Sequence, residues 1–137
     1  RILSLLEECS LKYESNIFLL DHLGLNPTKR TNCVTSIPFN WSDDKHIELE
    51  REYSLDNLPD LKQSGLNIFN FHPVHIYLNT SVQSDYVRSK RFFNKESFSN
   101  CIKSGLGIRS LFEELCKKIN QEGMKSGLLK ELIGNGS

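Results

Sequence analysis

The sequence has no excess of charge of either sign, since 17 basic and 17 acidic side chains balance among 137 residues. A strongly basic surface is the usual electrostatic signature of nucleic-acid binding and of attraction to anionic membranes. We therefore expect neither of these partners. No apolar run approaches the roughly 20 residues of a membrane-spanning helix. The chain starts at Arg1 without an apolar signal core, which we interpret as a start inside a longer chain.

Cysteine is sparse and lacks motif spacing. The four cysteines, Cys9, Cys33, Cys101 and Cys116, are scattered and form no CxxC pair, which argues against a zinc ribbon or a redox motif. Cys9 and Cys116 fall on the apolar stripes of predicted helices, where we interpret them as small core residues. This usage favours a reducing compartment, and hence the cytoplasm.

Several catalytic motifs are also missing. Gly105-Leu106-Gly107 lacks the rest of a glycine-rich phosphate loop. There is no GxSxG nucleophile elbow, and no cysteine has a histidine at a recognisable motif spacing. Nucleotide-binding P-loops and serine or cysteine hydrolases therefore have no support.

What is present is an alternation of helical and strand-like segments. Helical signals predict helices at residues 2–11, 55–64 and 107–121 and a final helical turn or two at residues 126–133. Short apolar runs predict strands at residues 17–20, 33–39 and 66–71. Polar segments at residues 40–53 and 79–105 are predicted to be loops. The alternation predicts an α/β fold with parallel strands. Because the strands are too few for a closed barrel, the fold is either a small open parallel sheet with helices or part of a larger (β/α) barrel.

The first polar cluster follows the predicted strand 66–71, where α/β folds commonly place ligands. His72 could act there as a general acid or base, because its ordinary pKa is near neutrality. It could equally be a structural histidine at a strand end. His72 and His75 form an HxxH pair, but residues three apart on a strand point to opposite faces. They could converge on a metal only if the chain turns.

The second cluster, Trp41-Ser42-Asp43-Asp44, follows the predicted strand 33–39. The ring of Trp41 is either a platform for a sugar or a core residue. Asp43 and Asp44 could orient a histidine, or they could be ordinary loop and capping acids. We interpret His22 and His46 as surface residues.

Several segments together resemble polysaccharide-deacetylase-like proteins. Residues 13–16, Tyr-Glu-Ser-Asn, are similar to a Y-D-S-N stretch of that family. Residues 37–44 resemble a P-x-x-W-x-D-D stretch of a divergent, WbmS-like branch linked to surface-polysaccharide biosynthesis. Residues 65–79 resemble its G-x-x-x-F-x-F-H-P-x-H-x-x-L-N segment, and residues 107–119 and 128–133 resemble its closing helices.

The resemblance implies a distorted (β/α) barrel and a hydrolase that removes an acetyl group from an acetylated sugar or polysaccharide with a divalent metal, zinc in particular. In the family, paired aspartates and a two-histidine motif supply the base and the metal ligands, and the resemblance puts both upstream. We therefore place the metal on no residue of this chain. Residues 1–133 would be the C-terminal portion of the domain, inactive alone without its N-terminal half, and residues 134–137 a frayed tail.

The resemblance also implies residue roles. His72 matches a late histidine that serves as general acid, and Asp43 or Asp44 would orient it. We expect substrate contacts from four residues, Trp41, His75, Tyr77 and Asn79. Two alternatives stay open: a non-catalytic carbohydrate-binding relative that uses Trp41, Tyr77 and the segment 79–105, and a small self-contained metallohydrolase with its metal on His72, His75 and one of the two aspartates.

Overall fold

The computed structural model describes residues 2–30 and 34–133. The helices are α1 (Ile2–Glu8), α2 (Asp43–Glu48), α3 (Pro73–Leu78), α4 (Gln83–Ser89) and α5 (Ile108–Gln121). The strands are β1 (Tyr13–Glu14), β2 (Thr28–Lys29), β3 (Thr35–Ser36), β4 (Trp41–Ser42) and β5 (Phe69–Asn70). Short 3₁₀ turns occur at Leu55–Asn57, Lys90–Phe92, Glu96–Cys101 and Leu129–Leu132.

The chain divides into two compact units. The first comprises the described parts of residues 1–41, 59–69 and 125–137, and the second comprises residues 42–58 and 70–124. A three-stranded sheet in the order β1-β3-β2 belongs to the first unit, and β4 and β5 form a two-stranded sheet. Helices α2 to α5 all lie in the second unit.

Strand β3 is the centre of the first sheet. It pairs in parallel with β1, where Tyr13 lies opposite Thr35, and antiparallel with β2. The buried Glu14 accepts a hydrogen bond from the Arg30 guanidinium at 3.2 Å, so its charge is paired as burial requires. The apolar core of this unit is formed by Leu25, Val34, Ile37 and Trp41.

The second unit is built around α5. Three residues on one face of this helix, Ile108, Leu111 and Leu115, are buried, as the helical spacing of apolar residues predicts. Helix α3 packs against α5, and Arg109 of α5 donates from Nε to the backbone oxygen of Ile76 at 3.0 Å. This packing holds the turn of chain that carries the two histidines of the HxxH pair.

Asn79 is the C-cap residue of α3, and its side chain also caps the first turn of α5. It adopts the left-handed conformation at φ 52°, which asparagine tolerates better than most residues. Its Oδ1 accepts from the backbone N–H of Arg109 at 3.1 Å and of Ser110 at 3.4 Å, and its Nδ2 donates to the oxygens of Lys103 and Gly105. Gly107, at the N-cap of α5, has no side chain to satisfy those N–H groups, so Asn79 does it from outside the helix.

The structure confirms the mixed α/β character and the long helix near 107–121. No closed barrel forms among the described residues, and β3 has one parallel and one antiparallel neighbour, so the expectation of parallel strands alone was wrong. The strand predicted at 66–71 is reduced to Phe69–Asn70, and residues 66–71 are only half-buried. Phe18, in the strand predicted at 17–20, makes a single parallel bridge to Phe39.

Both predicted loops contain regular structure. The segment 40–53 includes β4 and α2, and the segment 79–105 includes α4 and two 3₁₀ turns. These predictions failed because short helices rich in polar residues give little periodic apolar signal. The helix predicted at 55–64 is a single 3₁₀ turn, since Pro59 lacks a backbone donor. The helical turn or two predicted at 126–133 is present as the 3₁₀ turn Leu129–Leu132.

Cys9 and Cys116 were both predicted to be core residues, but the structure places neither in the fully buried core. Cys9 is exposed and Cys116 is half-buried, so the core assignment was wrong for Cys9. Cys33 and the tail 134–137 lie outside the described residues. In residues 2–30 and 34–133, every helix is too short or too polar to cross a bilayer.

Candidate metal and acid–base site

The two aspartates begin α2, directly after β4. Asp43 and Asp44 occupy the first turn of this helix, where carboxylates interact favourably with the helix dipole. Asp43 is fully buried, and its Oδ1 accepts from the backbone N–H of Asp44 at 2.8 Å. The side chain of Asp44 is 57% exposed. Neighbouring residues thus supply one buried carboxylate and one that is open to solvent.

The two histidines are brought together by a turn at the start of α3. His72 is the N-cap residue with extended backbone, Pro73 takes the first helical position and His75 lies within the helix. Proline is well suited to that position, where no backbone donor is required. Because the chain turns there, the HxxH pair is not strand-like, and its two rings lie 5.8 Å apart between centroids.

The four side chains form one cluster, defined as Asp43, Asp44, His72 and His75. One ligand atom from each lies within 4.8 Å of those of the others. His72 Nδ1 lies 2.6 Å from Asp43 Oδ1, and His72 Nε2 lies 3.6 Å from Asp44 Oδ2. His75 Nε2 lies 2.8 Å from Asp44 Oδ1. Asp44 therefore stands between the Nε2 atoms of both rings.

Each imidazole is also held at its other nitrogen. The Asp43 carboxylate accepts from both Nδ1 and the backbone N–H of His72, the latter at 2.6 Å. His75 is 1% exposed, and its Nδ1 lies 3.0 Å from the hydroxyl of the buried Thr80. Since a hydroxyl both donates and accepts, Thr80 supports either tautomer of His75. These contacts fix both rings with Nε2 towards Asp44.

The cluster changes the acid–base behaviour of His72. Partial burial of the ring lowers its pKa, but the hydrogen bond to Asp43 and the charges of Asp43 and Asp44 act in the opposite direction. Their combined effect prevails, and the pKa of His72 is raised above its ordinary value of 6.5. The ring is therefore held ready to carry a proton near neutral pH.

This shift predicts a pH-dependent stability of the metal-free chain. A raised folded-state pKa means that the Asp43–His72 interaction stabilises fully below the unfolded pKa and is lost as pH rises through the folded one. We expect the thermal midpoint of wild type, relative to His72→Gln, to fall as the pH is raised above the ordinary histidine pKa of 6.5. Calorimetry with chelator present measures this. If the difference in thermal midpoint between wild type and His72→Gln does not change with pH, the raised pKa of His72 is contradicted.

A cavity of about 460 Å³ opens beside the cluster, within the range of small-molecule sites. Its lining consists of Asp44, Glu48, His72, Val74, His75, Gln83 and Tyr86. Gln83 and Tyr86 come from α4, inside the segment predicted to be a loop, and sequence reasoning missed them. Their spacing of three residues was the available signal, because it places both on one helical face.

The other predicted site residues have different positions. Trp41 is 1% exposed and packs on Phe69 in the first unit, so its ring offers no open face. Tyr77 is exposed and stacks on Phe98, whereas Asn79 is buried in its capping role. His22 is exposed as predicted. His46 is buried against Tyr53, so its assignment to the surface was wrong.

The donor set of the cluster fits a divalent transition metal. Two imidazoles and a carboxylate are a common combination for zinc. A metal-binding histidine normally donates its second N–H to a carboxylate or another oxygen, which orients the ring. Asp43 and Thr80 occupy those outer positions here. Asp44, His72 and His75 would be the ligands, and an ordinary zinc site of this kind leaves a position for water or substrate.

Two comparisons with known proteins point to polysaccharide deacetylases. A family described as WbmS-like polysaccharide deacetylase matches residues 1–90. A crystal structure from Bordetella bronchiseptica is similar with a TM-score of 0.74 and 26% sequence identity, over 85% of this chain and 50% of that one. It is described as a candidate polysaccharide deacetylase involved in O-antigen biosynthesis, and this chain spans half of its length. No curated protein matches the chain.

Proposed function

We propose, since this chain belongs to the WbmS-like polysaccharide deacetylase family, that it carries a divalent-metal site for removing an acetyl group from an acetylated sugar. Polysaccharide deacetylases are generally metal-dependent. The observation that carries the proposal is the convergence of Asp44, His72 and His75 with their outer partners. The proposal departs from the expectation that all metal ligands lie upstream, because it assigns a ligand set to this chain.

The residues of the cluster divide into two roles. Asp44, His72 and His75 bind the ion. Asp43 and Thr80 are positioning residues, because they hold the Nδ1 atoms and direct both Nε2 atoms to one side. When bound, the ion supplies a Lewis acid that polarises the acetyl carbonyl and makes water a better nucleophile. The burial of Asp43 keeps water from competing for its hydrogen bonds with His72.

A second candidate function is favoured by the raised pKa of His72. A histidine held by a buried carboxylate is also the arrangement of a general acid. In that case His72 donates a proton to the leaving amine or alkoxide, and the ion is not bound by the cluster. This is the role that the family resemblance implies for His72, and it stays a prediction.

Zinc binding distinguishes the two candidates. The purified protein is stripped with a chelator, titrated with zinc in a calorimeter and then freed of excess zinc. We expect elemental analysis to find one zinc per chain. His72→Ala should weaken binding by more than about 100-fold, since it removes a ligand and loss of an outer partner alone typically costs about 10- to 100-fold. His22→Ala is the matched control, because His22 is exposed and does not belong to the cluster.

The outcomes separate clearly. A chain without stoichiometric zinc, or with the same zinc affinity after His72→Ala, would contradict the ligand assignment and leave His72 as the proton donor. If zinc binds as expected, release of acetate from N-acetylglucosamine oligomers should depend on zinc and disappear in His75→Ala. Zinc binding without acetate release would limit this chain to holding the ion.

A further inference from the structure

Aromatic side chains of the second unit contact one another in series. Tyr77 stacks on Phe98 with 5.4 Å between centroids, and Phe98 meets the edge of Phe93 at 5.1 Å. Phe93 lies 6.4 Å from Tyr86, and Tyr86 lies 4.7 Å from the ring of His75. We call Tyr77, Phe98, Phe93 and Tyr86 the aromatic row. It extends from an exposed residue of α3 to a member of the cluster.

The row keeps much of its apolar surface exposed. Tyr77 is 43% exposed and Phe93 is 39% exposed. A single exposed aromatic residue is ordinary, whereas a connected apolar surface next to a site is typical of a binding surface. Since the rings support one another through stacked and edge contacts, their orientation is set before any ligand arrives.

Tyr86 joins the row to the cavity. It lines the cavity together with His75 and Gln83, and its ring packs edge-on against His75. Lys90 Nζ lies 4.6 Å from the centre of the Tyr86 ring, a cation–π contact that helps to fix the ring. Tyr86 is therefore the residue that the row and the cavity share.

The chemistry of the surface fits a glycan chain. Each sugar ring has an apolar C–H face, which an aromatic ring covers, and a rim of hydroxyl groups. Glu48 and Gln83 line the cavity and offer a carboxylate acceptor and an amide that both donates and accepts. We propose that the aromatic row is a glycan-binding subsite, outside the cavity, that holds the part of a sugar chain beyond the residue bound at the cluster. This inference rests on the proposed function.

The test compares a tetramer of N-acetylglucosamine with the monomer, using zinc-treated protein and calorimetry. We expect the tetramer to bind at least about tenfold more tightly than the monomer. Tyr77→Ala and Phe93→Ala should each lower tetramer affinity about 3- to 10-fold and leave the affinity for the monomer unchanged. Leu106→Ala is the control, because Leu106 is 70% exposed in the same unit but does not belong to the row. Melting curves identify variants that are folded.

The results of this experiment test the glycan-binding subsite independently of the proposed metal site. A tetramer that binds no better than the monomer, or does not bind, overturns the subsite, as does an equal loss in Leu106→Ala. Loss of self-association in the row variants, without any change in tetramer affinity, would instead make the row a contact between copies of the chain. Zinc content is measured in the same samples, so normal zinc with failed glycan binding leaves the metal site standing.

Discussion

Replacing Asp44 by alanine is expected to lower the zinc affinity of the chain by about 100-fold or more. Asp44 stands between the Nε2 atoms of His72 and His75, at 3.6 Å and 2.8 Å. Its loss therefore removes the one carboxylate among the three proposed ligands. Replacing an outer partner typically costs about 10- to 100-fold in metal affinity, so loss of a ligand should exceed that. Competition with a chromogenic chelator measures the affinity.

Two further variants show whether position or charge matters. Glu48→Gln removes the same charge from the same helix and cavity, and its side chain pairs with Lys45. We expect it to change zinc affinity by less than about threefold, as suits a solvent-screened charge. Asp43→Asn should lie between the two variants, since Asp43 orients His72 from an outer position. Equal effects of Asp44→Ala and Glu48→Gln would show that zinc responds only to local charge.

Asn79→Ala should destabilise the chain by about 3 kcal/mol. Asn79 is 5% exposed, and its side chain satisfies two backbone N–H groups at the start of α5 and two backbone oxygens of the preceding segment. Alanine leaves these groups without their partner and is also strained in the left-handed conformation. Urea denaturation at one fixed pH measures the free energy of unfolding.

The two causes can be separated. Asn79→Gly removes the hydrogen bonds but relieves the backbone strain, so it should be about 1 kcal/mol less destabilising than Asn79→Ala. Asn94 is an exposed residue with the same left-handed backbone at φ 62°. Asn94→Ala should cost only about 1 kcal/mol, the strain alone. If Asn79→Ala costs no more than Asn94→Ala, the capping role of Asn79 is wrong.

How well the sequence predicted each helix depended on how many apolar side chains repeat along it. Helix α5 was recognised because its 14 residues repeat apolar side chains over several turns, which makes the periodic signal strong. Helices α2 and α4 were missed because they have six and seven residues, with polar side chains on most positions. Such helices are stabilised by packing against their neighbours, which local pattern does not record.

The candidate site was predicted in part. Sequence reasoning recognised four residues near predicted strand ends: Asp43, Asp44, His72 and His75. It also recognised the family, which the match over residues 1–90 shows. The proposed roles of these residues stay predictions. Thr80, Gln83 and Tyr86 were not recognised, since their value as partners depends on which side chains they meet in space.

The sequence by itself determined the mixed α/β class, the family and the two polar segments that supply the candidate site. It determined these because periodicity, composition and motif spacing are properties of the chain alone. Only the tertiary structure decided that Pro73 starts a helix which brings His75 beside His72, and that α2 presents Asp44 to both rings. The physical reason is that convergence of ligands depends on turns and on the packing of separate segments, and side chains 29 residues or more apart in sequence acquire a distance only when the chain folds.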